Sequence, residues 1–220
     1  HLAELLGLPP DEVAYELPGV NHHLWLTHLS HRGENAFPLL DAWIEREAAG
    51  HAARAEPSDP HGPKPVDLYR RFGAFPIGDT ANPGGGAWGW WYHVDEATER
   101  WWHEDPKGWY ERHFVRQIAE IGRSASDGSP KVTAAFPPEA SGETMVPLIE
   151  AIARDLPRQF IVNVVNDAEF VAGIPRDFAV EIPALVSGRG VRGIRTNGLP
   201  TPLVGQILRD RVAPVRLELA

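Results

Sequence analysis

The stretch LPGVNHHLWLTHL, residues 17–29, places Asn21, His22, His23 and His28 inside one apolar run. A neutral imidazole is a common ligand for divalent transition metals, and its second nitrogen needs a partner that fixes the ring's tautomer. In a strand, successive side chains point to opposite faces, so one of His22 and His23 can meet a metal while the other packs or faces solvent. The competing reading is a set of ordinary hydrogen-bonded or surface histidines. The spacing is not that of a zinc protease. No HExxH occurs, and positions 22, 23 and 28 do not share helical i, i+4 spacing around a glutamate.

A second candidate region is IGDTANPGGGAWGWWYH, residues 77–93. Gly84, Gly85 and Gly86 let a backbone approach a ligand closely. Trp88, Trp90 and Trp91 can stack on the apolar face of a sugar ring or form a packed aromatic cluster. His93 can hydrogen-bond a substrate's hydroxyls or carboxylate, or cap the helix that follows.

The elements that must hold these residues are legible from pattern. Residues 1–8 fit a helix ending at Gly7, and VAYELPGV has strand character. NAFPLLDAWIEREAAG, 35–50, reads as a helix with an Asn cap, and the proline-rich 51–65 as a surface loop before a short helix in VDLYRRFG. Helical pattern returns from 95 to 122, interrupted by Pro106, and again in SGETMVPLIEAIARDL with Ser141 as N-cap. RQFIVNVVN is the best strand, FAVEIPALVSGRGV a second extended stretch, and LPTPLVGQILRDRVAPVRLEL is helical at least to Pro214. The composite is an α+β domain: helix-rich, with a few strands that do not alternate regularly with helices. It is not a doubly wound nucleotide-binding sheet, and no GxGxxG follows any strand.

The chain has 220 residues, 43% of them hydrophobic, enough for one core, and we take it as one domain. A formal charge of −9, from 30 acidic and 21 basic residues, argues against nucleic acid. There is no cysteine, hence no disulfide and no thiolate ligand. No apolar run reaches the roughly 18 to 20 residues that span a bilayer. The sequence opens at His1 as though a helix were under way and closes on an apolar-periodic run, so both ends read as cut.

Three segments, in order, carry a family resemblance: GVNHHLWL (19–26), DLYRRFGAFPIGDTANPGGGAWGWWYH (67–93) and FIVNVVNDAEFVAGIPRDFAVEIPALVSGRGV (160–191). Together they resemble the C-terminal region of glycoside hydrolase family 4. FPIGDT and WWYH resemble its α-galacturonidase branch in particular. The resemblance implies the substrate and metal domain of a lactate/malate-dehydrogenase-like glycosidase, residues 1–220, without its Rossmann domain. It implies NAD, bound mainly by that other domain, and manganese or a similar divalent metal. It places a metal ligand on His22 and sugar contacts on Asn21 and Asn163, and leaves His23 structural.

The chemistry so implied is the nicotinamide-dependent exception among glycosidases. Hydride leaves the sugar C3 for NAD, a side-chain base removes the acidified C2 proton, the aglycone departs from C1, and water and the hydride return. Sugar-phosphate branches carry a tyrosine base on the loop matching FPIGDTANP. Here the ionisable residue is Asp79, which takes the role, with Tyr92 in reserve. The competing reading for Asp79 is an Asp turn bonding its own backbone. A uronate substrate needs donors for its carboxylate, and Arg70, Arg71, Arg189 and Arg195 are the available kind. Asn166 matches a segment near the active site, and Val165 stands where the family more often has proline.

The expectation is a parent enzyme that hydrolyses α-galacturonides or related α-glycosides, cytoplasmic and homo-oligomeric, its C-terminal portion inactive alone. The alternative is a non-catalytic carbohydrate-binding or oligomerisation domain of the same fold. A hydroxy-acid dehydrogenase substrate domain would need an Arg and His pattern that the sequence lacks.

Overall fold

The computed structural model describes residues 2–54, 59–80, 89–104, 108, 111–126, 136–137 and 143–220, the side chain of Trp90 apart. Gly84 to Gly86, Trp88, Pro106 and Ser141 lie outside the described residues, so the glycine and tryptophan loop and the Ser141 cap stay expectations.

Short antiparallel strands carry the first third. β1 (Val13–Glu16), β4 (His28–His31) and β5 (Glu34–Asn35) form one small sheet in the order β1-β4-β5. β2 (Gly19–Val20), β3 (His23–Leu26), β6 (Phe75–Ile77), β7 (Arg158–Val165), β8 (Ala179–Ser187) and β9 (Gly190–Gly193) form the other. Its order is β6-β3-β2-β8-β7, with β9 also paired to β8, and every pairing is antiparallel. Pro76 sits in β6, an edge strand, where a missing N–H is tolerated.

β8 shows why its sequence makes a strand. Val180, Ile182, Ala184 and Val186 are fully buried, while the alternate positions Glu181 and Leu185 point to the other face. The buried row packs with Val20, Val171 and Ile174, and with Ile207 and Val212 of the C-terminal helical run Thr201–Glu218. That run passes through Pro214 with a π-helical stretch at Leu208–Val212.

A short helix, α1 (Leu2–Leu5), forms within the expected 1–8, and the expected helix 35–50 forms as α2 (Phe37–Arg46) and α3 (Ala48–Ala52), divided at Glu47. Asn35 does serve its first turn, accepting from the Phe37 N–H at 3.1 Å. Leu40, Trp43 and Ile44 face a core shared with Leu26, Leu29 and Phe75. The helix α4 (Pro63–Phe72) begins earlier than its pattern suggested and ends at Gly73, left-handed at φ 72°. The proline-rich 51–65 is not simply a surface loop. Lys64 is 1% exposed because Glu104, distant in sequence, supplies a carboxylate at 2.8 Å.

Candidate active site

The β2–β3 hairpin turns on two residues, Asn21 and His22, with Val20 opposite His23 and Gly19 opposite Leu24. Gly19 is required by close approach: a Cβ there would lie 2.1 Å from the His23 carbonyl oxygen. His22 has φ 60°, in the left-handed region where non-glycine residues are uncommon and Asn, Asp and His are enriched. The turn therefore parts the two histidines. His22 projects outward with its side chain 62% exposed, while His23, the first residue of β3, is completely buried. The strand expected to cover both begins only at His23, so a turn and not strand alternation separates them.

β6 lies along the other edge of β3, with Ile77 opposite Leu24. Gly78 then takes φ 58° and opens a single 3-10 turn, Gly78–Thr80. The Thr80 hydroxyl, buried, accepts the Leu24 N–H at 2.6 Å and fixes that turn to the hairpin. Asp79 is thereby carried to His22, whose Nδ1 is hydrogen-bonded to Asp79 Oδ2. A carboxylate can only accept, so Nδ1 carries the proton and the Nε2 lone pair is left for a ligand.

On the other side, β8 brings Glu181 opposite Gly19 on β2 and opposite Asn163 on β7. The Asn163 amide donates to Asn21 Oδ1 at 3.2 Å, joining residues 142 positions apart. Glu181 is half-buried, and its pKa is raised chiefly by that burial, with Asp79's charge adding to the rise. A hydrogen bond from the His22 backbone and the His22 charge work the other way. Glu181 was not among the residues singled out from sequence. The available signal was a lone carboxylate at an outward position of an otherwise apolar strand. Asn21, His22, Asp79, Asn163 and Glu181 thus gather around the exposed turn of the β2–β3 hairpin. Of these, His22 offers an imidazole nitrogen of the kind that suits a divalent ion such as manganese.

Other residues go elsewhere. Tyr92 is completely buried among Trp25, Leu68 and Leu203, and its hydroxyl donates to Asp67 Oδ2 at 2.7 Å. Burial, then that hydrogen bond, pushes its pKa up, the opposite of what a base requires. His93 sits between Glu99 and Glu104, each 3.2 Å from one ring nitrogen. It supports the start of α5 (Glu96–Trp101) and the buried Lys64–Glu104 pair, and it is not placed toward His22. Asn166, completely buried, staples its own loop through Val171 and Ile174. Arg71 bonds Asp67 and Arg195 bonds Glu169; Arg70 is exposed on α4 and Arg189 lies in the β8–β9 turn. An apolar cavity of about 490 Å³ is lined in part by Leu26, Phe75, Ile77 and Gly78, and none of the site residues named above lines it.

Residues 17–219 match the family described as family 4 glycosyl hydrolase C-terminal domain, and the chain belongs to that family. Solved structures with the same fold include a putative glucosidase, LplD, of Bacillus subtilis, with a TM-score of 0.64 and 21% identity over 94% of this chain and 48% of the other. A 6-phospho-α-glucosidase from gut microorganisms, in complex with NAD and glucose-6-phosphate, has a TM-score of 0.62 and 20% identity over 94% of this chain and 45% of the other. The 6-phospho-β-glucosidase of Thermotoga maritima, with manganese, NAD and glucose-6-phosphate, has a TM-score of 0.61 and 17% identity over 98% and 46%. The chain spans a little under half the length of each. Among the described residues, no helix is long and apolar enough to cross a membrane.

Proposed function

We propose that this domain is the substrate- and metal-handling part of an NAD- and manganese-dependent glycoside hydrolase acting on α-galacturonides or related α-glycosides. One observation carries the reading: the convergence of Asn21, His22, Asp79 and Asn163 from three distant segments at the exposed turn of the β2–β3 hairpin. The ligands of the related 6-phospho-glucosidases, NAD and manganese among them, support the cofactors. The FPIGDT and WWYH segments support the galacturonide branch.

In this reading His22 holds the divalent ion through Nε2, because Nδ1 is committed to Asp79. The bound ion and NAD supply, respectively, Lewis-acid polarisation of neighbouring sugar oxygens and a hydride acceptor. Asp79 takes the sugar C2 proton through the carboxylate oxygen that does not face His22, and Thr80's anchor holds it within reach. Asn21 and Asn163, already bonded to each other, present their remaining donors and acceptors to sugar hydroxyls. No residue of this chain is assigned to NAD. Tyr92 and His93 take no part, since both are tied into the interior.

A second reading of the base rests on Glu181, whose burial raises its pKa toward the range of a general base. We further propose a cytoplasmic protein that assembles with copies of itself, a reading supported by exposed Met145, Val146, Ile149, Leu217 and Leu219.

The test uses the full-length protein with an α-galacturonide and a 6-phospho-α-glucoside as rival substrates. His22→Ala is expected to lower manganese-dependent kcat/KM at least about 100-fold with NAD binding intact. Asp79→Asn is expected to stop exchange of the sugar C2 hydrogen with solvent, and Glu181→Gln to leave it. Exchange lost only in Glu181→Gln moves the base to that residue. Unchanged turnover in His22→Ala removes the metal assignment, and sugar binding without turnover in the unaltered protein selects the non-catalytic alternative.

A further inference from the structure

A second set of metal-ligating side chains lies away from the His22 site. His51, at the end of α3, and His61, just ahead of α4, flank the carboxylate of Asp59. His51 Nε2 is 3.1 Å from Asp59 Oδ1, and His61 Nδ1 is 3.7 Å from the same oxygen. One ligand atom from each of the three residues lies within 4.8 Å of the other two. Among the described residues, this is the one group of three His, Asp or Glu side chains that meets this spacing.

Four-coordinate zinc, with bonds of roughly 2.0–2.1 Å, sets its ligand atoms about 3.3–3.4 Å apart. The two separations measured to Asp59 bracket that figure. The side chains are also held from behind. His51 sets its ring edge-on to Trp43 at 5.6 Å, and His61 stacks on Phe75 at 6.4 Å. Asp59 Oδ1 accepts the His61 backbone N–H at 2.7 Å, which orients the carboxylate. The three side chains are 27%, 25% and 12% exposed, so the cluster is sheltered yet reachable.

We propose that His51, Asp59 and His61 bind a divalent transition metal, zinc fitting best, with solvent completing the coordination. The two imidazoles and one carboxylate match zinc in donor type. A metal there ties α3 to the start of α4. Through the His61–Phe75 stack it braces β6, which leads into the turn that carries Asp79. The site is independent of His22, so it neither needs nor tests the glycosidase reading.

The experiment strips the full-length protein with EDTA, then titrates it with zinc and separately with cobalt(II). It compares the unaltered protein with His22→Ala, Asp59→Asn and His51→Gln. The expected result is one equivalent of zinc that survives in His22→Ala, a tetrahedral cobalt(II) absorption band, and a Tm that rises with added zinc. Asp59→Asn and His51→Gln are expected to weaken that binding at least about tenfold, with circular dichroism unchanged. Should one of these two fail to fold, the other decides. Zinc bound with unchanged affinity in a folded Asp59→Asn or His51→Gln overturns the site. So does the absence of any equivalent beyond the one His22→Ala removes, which leaves only a His–Asp–His hydrogen-bond network.

Discussion

His22 and His23 are neighbours with opposite fates, and the difference is a matter of one φ angle. The left-handed turn at His22 exposes its ring, and the next residue starts a strand whose side chain is buried against Trp25 at 5.6 Å between ring centroids. Burial, with a smaller push from Arg211, lowers the His23 pKa to about 3, and Asp210 opposes the shift. In the unfolded chain the ring titrates near 6.5. Between those values the unfolded chain binds a proton that the folded protein does not, so folding stability is complete above about pH 6.5 and is lost as pH falls toward 3. The loss runs at up to about 1.4 kcal/mol per pH unit. His23→Leu is expected to flatten this part of the profile, measured as urea-unfolding free energy between pH 7 and pH 4. An unchanged slope would show that other groups carry the acid sensitivity.

At the scale of elements, the site depends on the register of β2, β3 and β6. Gly19 permits the close approach of β2 to β3, and Thr80 hooks the turn after β6 onto Leu24. In Gly19→Ala the new methyl meets a backbone oxygen and no flexible side chain can yield, so the hairpin must shift. The expected cost is about 3 kcal/mol or more in chemical denaturation, with turnover falling alongside because Asn21 and His22 move with the hairpin. Ala at this position with unaltered stability would mean that β2 sits further from β3 than described. Much of this layer is visible in the sequence: RQFIVNVVN and FAVEIPALVSGRGV become β7, β8 and β9 because β-branched apolar residues run through them, with period-two burial in β8. The split of α2 from α3 is not, since apolar spacing continues across Glu47 while the backbone breaks there.

For the whole molecule, the telling feature is a charge in the interior. Lys64 and Glu104 pair at 2.8 Å with side chains 1% and 2% exposed, His93 adds a second contact to the same oxygen, and the Lys64 ammonium stands 5.5 Å from the centre of the Tyr92 ring. The same arrangement holds the Tyr92 ring and the His93 imidazole. Lys64→Met leaves Glu104 buried without its cation and is expected to cost about 3–5 kcal/mol. Lys64→Met with Glu104→Leu is expected to recover most of that loss, read as the unfolding midpoint in urea. A double variant as unstable as the single would show that packing around Lys64, not charge, holds the region.

Local pattern by itself determined the mixed α+β class, the strands of the C-terminal half and the histidine pair as a candidate, because period and side-chain type are properties of short segments, while the choice of His22 and Asp79 came from the family resemblance. Only the tertiary structure decided which ring of the histidine pair faces outward, that Asp79 meets it, that Glu181 joins them and that Tyr92 does not. It also decided that Lys64 is buried against Glu104 and that His51, Asp59 and His61 gather. The Lys64–Glu104, His22–Asp79 and Asn21–Asn163 pairs stand 40 to 142 positions apart, wider than any local window of sequence.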